Sequence, residues 1–156
     1  MSKSLKRVIR ALEAANIDTT PIEMPGGART AQAAADAVGC AVDQIAKSII
    51  FGGQNSGKAV LFITAGGNQV CLTKASEVAG EPLGKADAAL IRAQTGFAIG
   101  GVSPIGHLSP IHAFFDPKLL GFDRIWAAAG TPHHVFQINP ADLLRISEAQ
   151  SIEFTV

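Results

Sequence analysis

Apolar positions along the chain follow two rhythms. Leu5, Val8, Ile9 and Leu12 recur at steps of three and four, which predicts a helix over 4–16 with one apolar face. Pro21, Pro25 and the Gly26-Gly27 pair bracket a short segment. Thr30 can then cap an Ala-rich helix that closes at Gly39, with a second short helix over 42–46. Beyond it the pattern becomes β-branched and apolar over 48–51 and 58–65, joined by a Gly-rich turn at 52–57. Gly66-Gly67-Asn68 turns the chain into a third expected strand, 69–73. Connections this short predict an antiparallel meander, because parallel neighbours need a crossover of about a dozen residues or more.

Helical spacing returns over 74–79 and 85–94, the second helix closing at Gly96 with Ala89, Leu90 and Ala93 as its buried stripe. Short strands are expected around 97–99, 113–115, 124–129 and 135–138. Asn139-Pro140 starts a helix to about residue 146, and 152–155 reads as a last strand. No linker, repeat or low-complexity tract divides residues 1–156. The expectation is one α/β (α+β) domain with a mixed, mostly antiparallel sheet among helices.

Composition agrees. With 47% apolar and 17% charged residues in 156, the chain is expected to be compact and soluble. Area scaling gives roughly 7,400 Å² of folded surface against about 23,000 Å² extended, so about two-thirds can be buried. No apolar run reaches the roughly 18 residues of a membrane span, and the chain starts on a basic amphipathic stretch, so a cytoplasmic address and no membrane partner are expected. Cys40 and Cys71 lack metal-ligand spacing and read as core thiols.

Thirteen basic residues balance 13 acidic ones, which argues against a general nucleic-acid coat. The charge is unevenly placed, however: Lys3, Lys6, Arg7 and Arg10 give the first ten residues +4, leaving −4 on the remainder. This basic face reads either as solvated surface or as a phosphate contact.

Four double glycines hold half of the 16 glycines, and three of them flank predicted elements as ordinary turns. The fourth opens Gly100-Gly101-Val102-Ser103-Pro104-Ile105-Gly106-His107, which is dense for a connector. Such a loop could present main-chain N–H groups to a carbonyl or an oxyanion, or serve as a plain Gly-Pro turn. It fits neither nucleotide-binding glycine pattern. The chain also has no GxSxG elbow, no HExxH helix and no informative Cys-His pair, which leaves little from which to build a covalent hydrolase. Lys47, where helix gives way to strand, is either a surface charge or a functional amine with its stem drawn inward. His107, His112, His133 and His134 have no carboxylate or thiol at ligand spacing, so no metal is expected.

Lys47 before Ser48-Ile49-Ile50-Phe51, then the 100–107 loop, then Ala127-Ala128-Ala129-Gly130, occur in an order and at separations that resemble the YbaK/prolyl-tRNA editing (ProX-like) family of aminoacyl-tRNA deacylases. The resemblance runs over almost the whole chain. It implies a barrel-like, mostly antiparallel sheet surrounded by helices, and hydrolysis of the ester joining a wrong amino acid to tRNA. Carried over residue by residue, Lys47 engages the terminal adenosine or its phosphate and the ester, while Gly100 and Gly101, leading to Pro104, form a GxxxP loop whose backbone holds the aminoacyl carbonyl. Ser48, Ser103, Ile105, Gly106 and His107, with Gly130 and His133 opposite, are the accompanying substrate-binding candidates. Water, or a substrate hydroxyl or thiol, is then activated by positioning, with no enzyme nucleophile, metal or cofactor.

The implied partner is a mischarged tRNA met at its 3′ aminoacyl end, with prolyl-tRNA synthetase a further candidate and no DNA. Ala or Cys on proline tRNA is the leading substrate, ahead of Ser or Thr. Ser48 stands where some relatives have Thr or Asn, and Val135-Phe136-Gln137 carries no carboxylate where certain relatives have Asp; both bear on the choice of amino acid. A non-catalytic module gripping a tRNA end or a synthetase is the alternative, and hydrolysis of another small ester a third.

Overall fold

The structure is a computed structural model that describes residues 1–26 and 30–156, in which eight strands and five α-helices are described. Helix α1 (Lys3–Ala14) forms where the apolar spacing predicts, with the Ser2 hydroxyl accepting the Leu5 N–H at 3.0 Å as its cap and Leu5, Val8 and Leu12 buried. After β1 (Ile22–Glu23), α2 (Ala31–Val38) is capped by Thr30 and closed by Gly39 at φ 75°. Gly27 of the expected glycine pair lies outside the described residues.

The chain continues through β2 (Ile45–Gly53), β3 (Ala59–Ala65), α3 (Leu72–Ala79), β4 (Leu83–Lys85) and α4 (Ala88–Thr95). Next come β5 (His112–Phe115), β6 (Ile125–Ala128), β7 (His134–Ile138), α5 (Pro140–Ile146) and β8 (Gln150–Ser151). The strands join in one mixed sheet ordered β1-β7-β6-β2-β3-β5-β8, with β4 pairing β2 beside this path. Four of the seven ladders are antiparallel, as expected for a largely antiparallel sheet with helices around it.

Several local expectations are corrected. The meander stops at two strands: among the described residues 69–73 forms a single bridge, Val70 to Thr155, and Leu72 already begins α3. The turn after β3 explains this, because the buried Asp116 carboxylate accepts both the Ala65 N–H at 3.1 Å and the Asn68 side-chain amide at 2.9 Å, steering the chain out of the sheet. The place beside β3 goes to β5 instead, in parallel, and β3 is buried along its whole length as a central strand requires. Residues 97–99 are a loop; Phe97 is buried in the core instead of pairing.

Two helices also shift. The segment 42–46 is a 3-10 turn, Val42–Gln44, since Ile45 and Ala46 already pair with Trp126 and Ala127 in the sheet. Helix α4 starts at Ala88 because Lys85 belongs to β4 and the Asp87 carboxylate caps the Leu90 N–H at 2.7 Å. That start turns Ile91 and Thr95 inward, with Leu90 half-buried and Ala89 and Ala93 exposed. At the C-terminus the last strand is β8, followed by the Thr155 bridge, instead of 152–155. Both cysteines are free and half-buried instead of core.

The largest core cluster packs Leu5, Val8 and Leu12 of α1 on Phe97, Phe115 and Phe136. On the other side of the sheet Phe62 stacks on Phe114 at 5.3 Å and meets the Phe154 ring edge-on at 4.9 Å. The folded surface, 7787 Å², is near the value that chain mass alone suggests.

Candidate functional site

One edge of β2 is interrupted. Along it, β6 pairs with Ile45 and Ala46, β4 pairs with 51–53, and among the described residues no strand lies beside the stretch between. The opposite edge pairs continuously with β3. On β3, the Ala65 N–H goes to Asp116 and the Ile63 carbonyl accepts the Asp116 N–H, so these residues turn their main chain to the β5 side. Alternation then gives the bonds between β2 and β3 to Lys47 and Ile49, and points the N–H and C=O of Ser48 at the break. The hydroxyl of Ser48 is buried and has no hydrogen-bond partner among the described residues. Buried polar groups are as a rule hydrogen-bonded, so this hydroxyl calls for a partner from outside these residues, a water or a ligand.

A cavity of about 210 Å³ opens at this break, lined by Lys47, Ser48, Gly100, Val102, Ala127 and Thr131. The buried Met24, the buried Ala34 of α2 and Trp126 of β6 add apolar wall. Lys47 is half-buried, and its ammonium donates to the Gly66 carbonyl at 3.2 Å. Removal from water lowers its pKa below the ordinary lysine value, opposed by the carboxylates of Asp43 and Asp116. Asp43 is itself held by Lys118 at 3.2 Å and by the Gly67 N–H at 2.8 Å. Among the described residues the site thus offers one cation, one unpartnered hydroxyl and an open strand edge within apolar walls.

The glycine loop divides between two places. Gly100 is the third residue of a turn in which the Gly101 N–H donates to the Ala98 carbonyl at 3.1 Å, and its φ of 92° is the conformation such a turn reserves for glycine. The Gly101 N–H is therefore spent inside the turn. Gly101 is buried, and a Cβ there would stand 2.9 Å from the Cα and carbonyl carbon of Thr131, so the loop and the 130–131 turn touch through main chain.

Gly100 and Val102 face the cavity; Ser103 is buried, and Pro104, Ile105, Gly106 and His107 line a separate cleft of about 560 Å³ between α1 and the end of α5. His107 donates from Nε2 to the Ser103 carbonyl at 2.7 Å and meets the Phe97 ring edge-on. Burial pushes its pKa down, and the Arg7 charge adds to that. The imidazole braces the loop from behind.

Arg7 does likewise. Its Nε donates to the Gly106 carbonyl at 3.0 Å and its Nη2 to that of Thr95 at 3.3 Å, with the guanidinium 4.6 Å above the Phe97 ring. This residue, which sequence groups with the solvated basic face, clamps the loop.

Opposite, Gly130 is buried, and a Cβ there would come within 2.8 Å of the Ser4 carbonyl oxygen. His133 is exposed on the turn and does not line the cavity. Its neighbour His134 does, because β7 begins there, and its Nδ1 lies 2.7 Å from the Thr131 hydroxyl. The His-His pair is visible in sequence; which member faces inward depends on where the strand starts. Met24, Thr30 and Trp126 carry no comparable signal. Lys47, Ser48 and Gly100 are thus brought together, while His107 and His133 are elsewhere.

Residues 26–146 match the model of the aminoacyl-tRNA editing domain, and the chain belongs to that family. A solved structure described as that of "a putative trans-editing enzyme for prolyl tRNA synthetase" is 43% identical, with a TM-score of 0.92, covering 100% of this chain and 99% of its own. "Uncharacterized protein YwhH" of Bacillus subtilis (strain 168) is 26% identical over 144 residues, 92% of this chain and 91% of that protein. Hypothetical protein APE2540 shares the fold at 23% identity and a TM-score of 0.87, over 96% of this chain and 99% of its own.

Proposed function

We propose that this chain is a freestanding aminoacyl-tRNA deacylase that clears a small mischarged amino acid, Ala or Cys on proline tRNA first and Ser or Thr next. The observation that carries the reading is the convergence of Lys47, the unpartnered Ser48 hydroxyl and the open β2 edge on one small cavity. At about 210 Å³ the cavity is smaller than the roughly 300–1,000 Å³ of sites for drug-sized ligands, which suits an aminoacyl group of few atoms.

In this mechanism the ester carbonyl takes the Ser48 N–H, with the Gly100 turn against it, and Lys47 holds the anionic and ribose end. Water adds to the carbonyl carbon, and negative charge gathers on the carbonyl oxygen where the amide and the ammonium stabilise it. The bond from that carbon to the ribose oxygen then breaks. The ribose oxygen leaves as a hydroxyl, taking a proton that water gave up, and the free amino acid departs. An aminoacyl ester is already activated, so oriented donors and a held water supply enough. Selection among amino acids then rests on cavity size, where one methylene is worth about 1–3 kcal/mol. That weak discrimination favours help from tRNA or from a synthetase partner.

Incubating tRNAs mischarged with Ala, Cys, Ser and Thr with the wild type and Lys47→Ala tests the reading. A Lys47-dependent release slowed by about 10²-fold in the variant is expected, the usual effect of removing one donor to the transition state. Absence of lysine-dependent release from every tRNA in the panel overturns it.

A further inference from the structure

We propose that the exposed face of α1 is a docking track for the sugar-phosphate backbone of an RNA whose 3′ end enters the Lys47 cavity, with Lys3, Lys6 and Arg10 as its contacts. The inference rests on the deacylase reading for the identity of the RNA. It rests on the helix itself for the surface, and α1 precedes the residues matched by the family model.

At 100° per residue Lys3, Lys6 and Arg10 fall within about 60° of one another, roughly opposite the buried face of Leu5, Val8 and Leu12. All three are exposed, and they stretch over about 10 Å of helix, comparable with three phosphate steps along one strand of a duplex. Among the described residues no acidic side chain lies within ion-pair distance of any of them; the ion pairs join Lys118 to Asp43 and Arg145 to Asp142. Glu13 enters this face only in the last turn.

The placement of charge costs the free protein something. The first turn of α1 holds no acidic residue, so Lys3 and Lys6 oppose the positive end of the helix dipole, and Lys6 and Arg10 repel at four-residue spacing. A polyanion relieves both. An anionic membrane is a poorer occupant, because Leu5, Val8 and Leu12 are committed to the core and leave no apolar face to insert.

Position supplies the link to the cavity. Arg7, on the flank of the same helix, is bonded to the Gly106 carbonyl of the glycine loop, and the Ser4 carbonyl packs on Gly130. Helix α1 is therefore braced against both loops around the cavity. A polymer on its outer face is thus held by an element fixed to both loops.

The test is Lys6→Ala/Arg10→Ala, with Lys3→Ala added in a second variant. Filter binding of uncharged proline tRNA over a salt series is expected to give a slope of log affinity against log salt shallower by about 0.9 for each phosphate no longer neutralised. For the double variant this amounts to about a tenfold smaller loss of affinity across a fourfold rise in salt, on top of weaker binding at low salt. Deacylation of mischarged tRNA should fall in parallel, while release from a short aminoacyl ester of adenosine stays at the wild-type rate. Unchanged salt slopes in both variants overturn the docking track. So does an equal loss on the short ester, which would place the defect in the cavity, or retention of tRNA binding with loss of binding to phosphatidylserine vesicles. Failure of the wild type to hydrolyse any ester, with the salt slopes still altered in the variants, refutes the deacylase reading and leaves the RNA track standing.

Discussion

Ser48→Ala should make the protein more stable and less active at once. The Ser48 hydroxyl is buried and meets no partner among the described residues, so on folding it gives up hydrogen bonds to water without gaining one from them. Mutational data put the cost of such a group at about 1–3 kcal/mol. The hydroxyl adjoins a cavity whose lining also includes Lys47, Thr131 and His134, which favours the lower end, about 1 kcal/mol. Alanine removes that oxygen and retains the Cβ between Ala46 and Ile50 on the same strand face, so little packing is lost. For a chain of this length about 1 kcal/mol corresponds to a rise of about 2–4 °C in Tm. Thermal unfolding followed by circular dichroism measures it, and deacylation of a mischarged tRNA panel measures the other half. A Tm below that of the wild type would refute the claim that the hydroxyl is unsatisfied in the free protein. A higher Tm with full activity would detach Ser48 from the substrate.

Gly101→Ala is expected to destabilise by about 1–3 kcal/mol, since the new methyl meets Thr131 main chain that has no rotamer to yield. Urea midpoints should record the loss, and a variant of wild-type stability would mean the two loops are not in close contact. His107 makes acid stability sensitive to one imidazole. Burial and the Arg7 charge lower its folded pKa, so as pH falls through the unfolded value of about 6.5 the unfolded chain takes up a proton that the native state refuses. Stability present at pH 7 is lost progressively below it, down to the folded pKa. His107→Gln, which can still donate to the Ser103 carbonyl, should flatten urea midpoints between about pH 5 and 7; parallel curves for the two proteins would count against this.

Helices are legible where a local cap and a local stripe agree. The Leu5-Val8-Leu12 stripe defines α1, although its Ser2 cap lies just outside the expected 4–16; Thr30 and Gly39 define α2, and Asn139-Pro140 starts α5. A strand over 69–73 does not form because its fate is decided by Asp116, a residue nearly fifty positions away that binds Ala65 and Asn68. No periodicity in a short window contains that carboxylate. Arg7 is opaque to sequence for a similar reason: its helical position marks it as solvated flank, while its partners Thr95, Phe97 and Gly106 come from another part of the chain.

The cavity illustrates the same division more sharply. Lys47 and the Gly100 loop stand out in sequence, because a charge at a strand entrance and unusual residue density are local properties, while Ser48 is named only through the family resemblance. That they share a site depends on the break in the β2 edge, and the break exists only because two other strands, β6 and β4, dock on β2 at separate ends. Neither pairing is sequential with respect to β2, and one is parallel. A strand flanked by two complete neighbours would leave Ser48 without a free main-chain amide, and Lys47 beside it would be an ordinary half-buried lysine. On the proposed reading, the chemistry is therefore written in single residues, and its location in the gap left by non-local pairing. Filling that gap is thus a sharper trial of the site than deleting any one side chain: Ala127→Leu, which adds bulk to the wall facing Ser48, should abolish release of every amino acid in the panel while tRNA binding through α1 persists. Undiminished release from Ala127→Leu, with the fold intact by circular dichroism, would mean that the ester is cleaved somewhere other than this cavity.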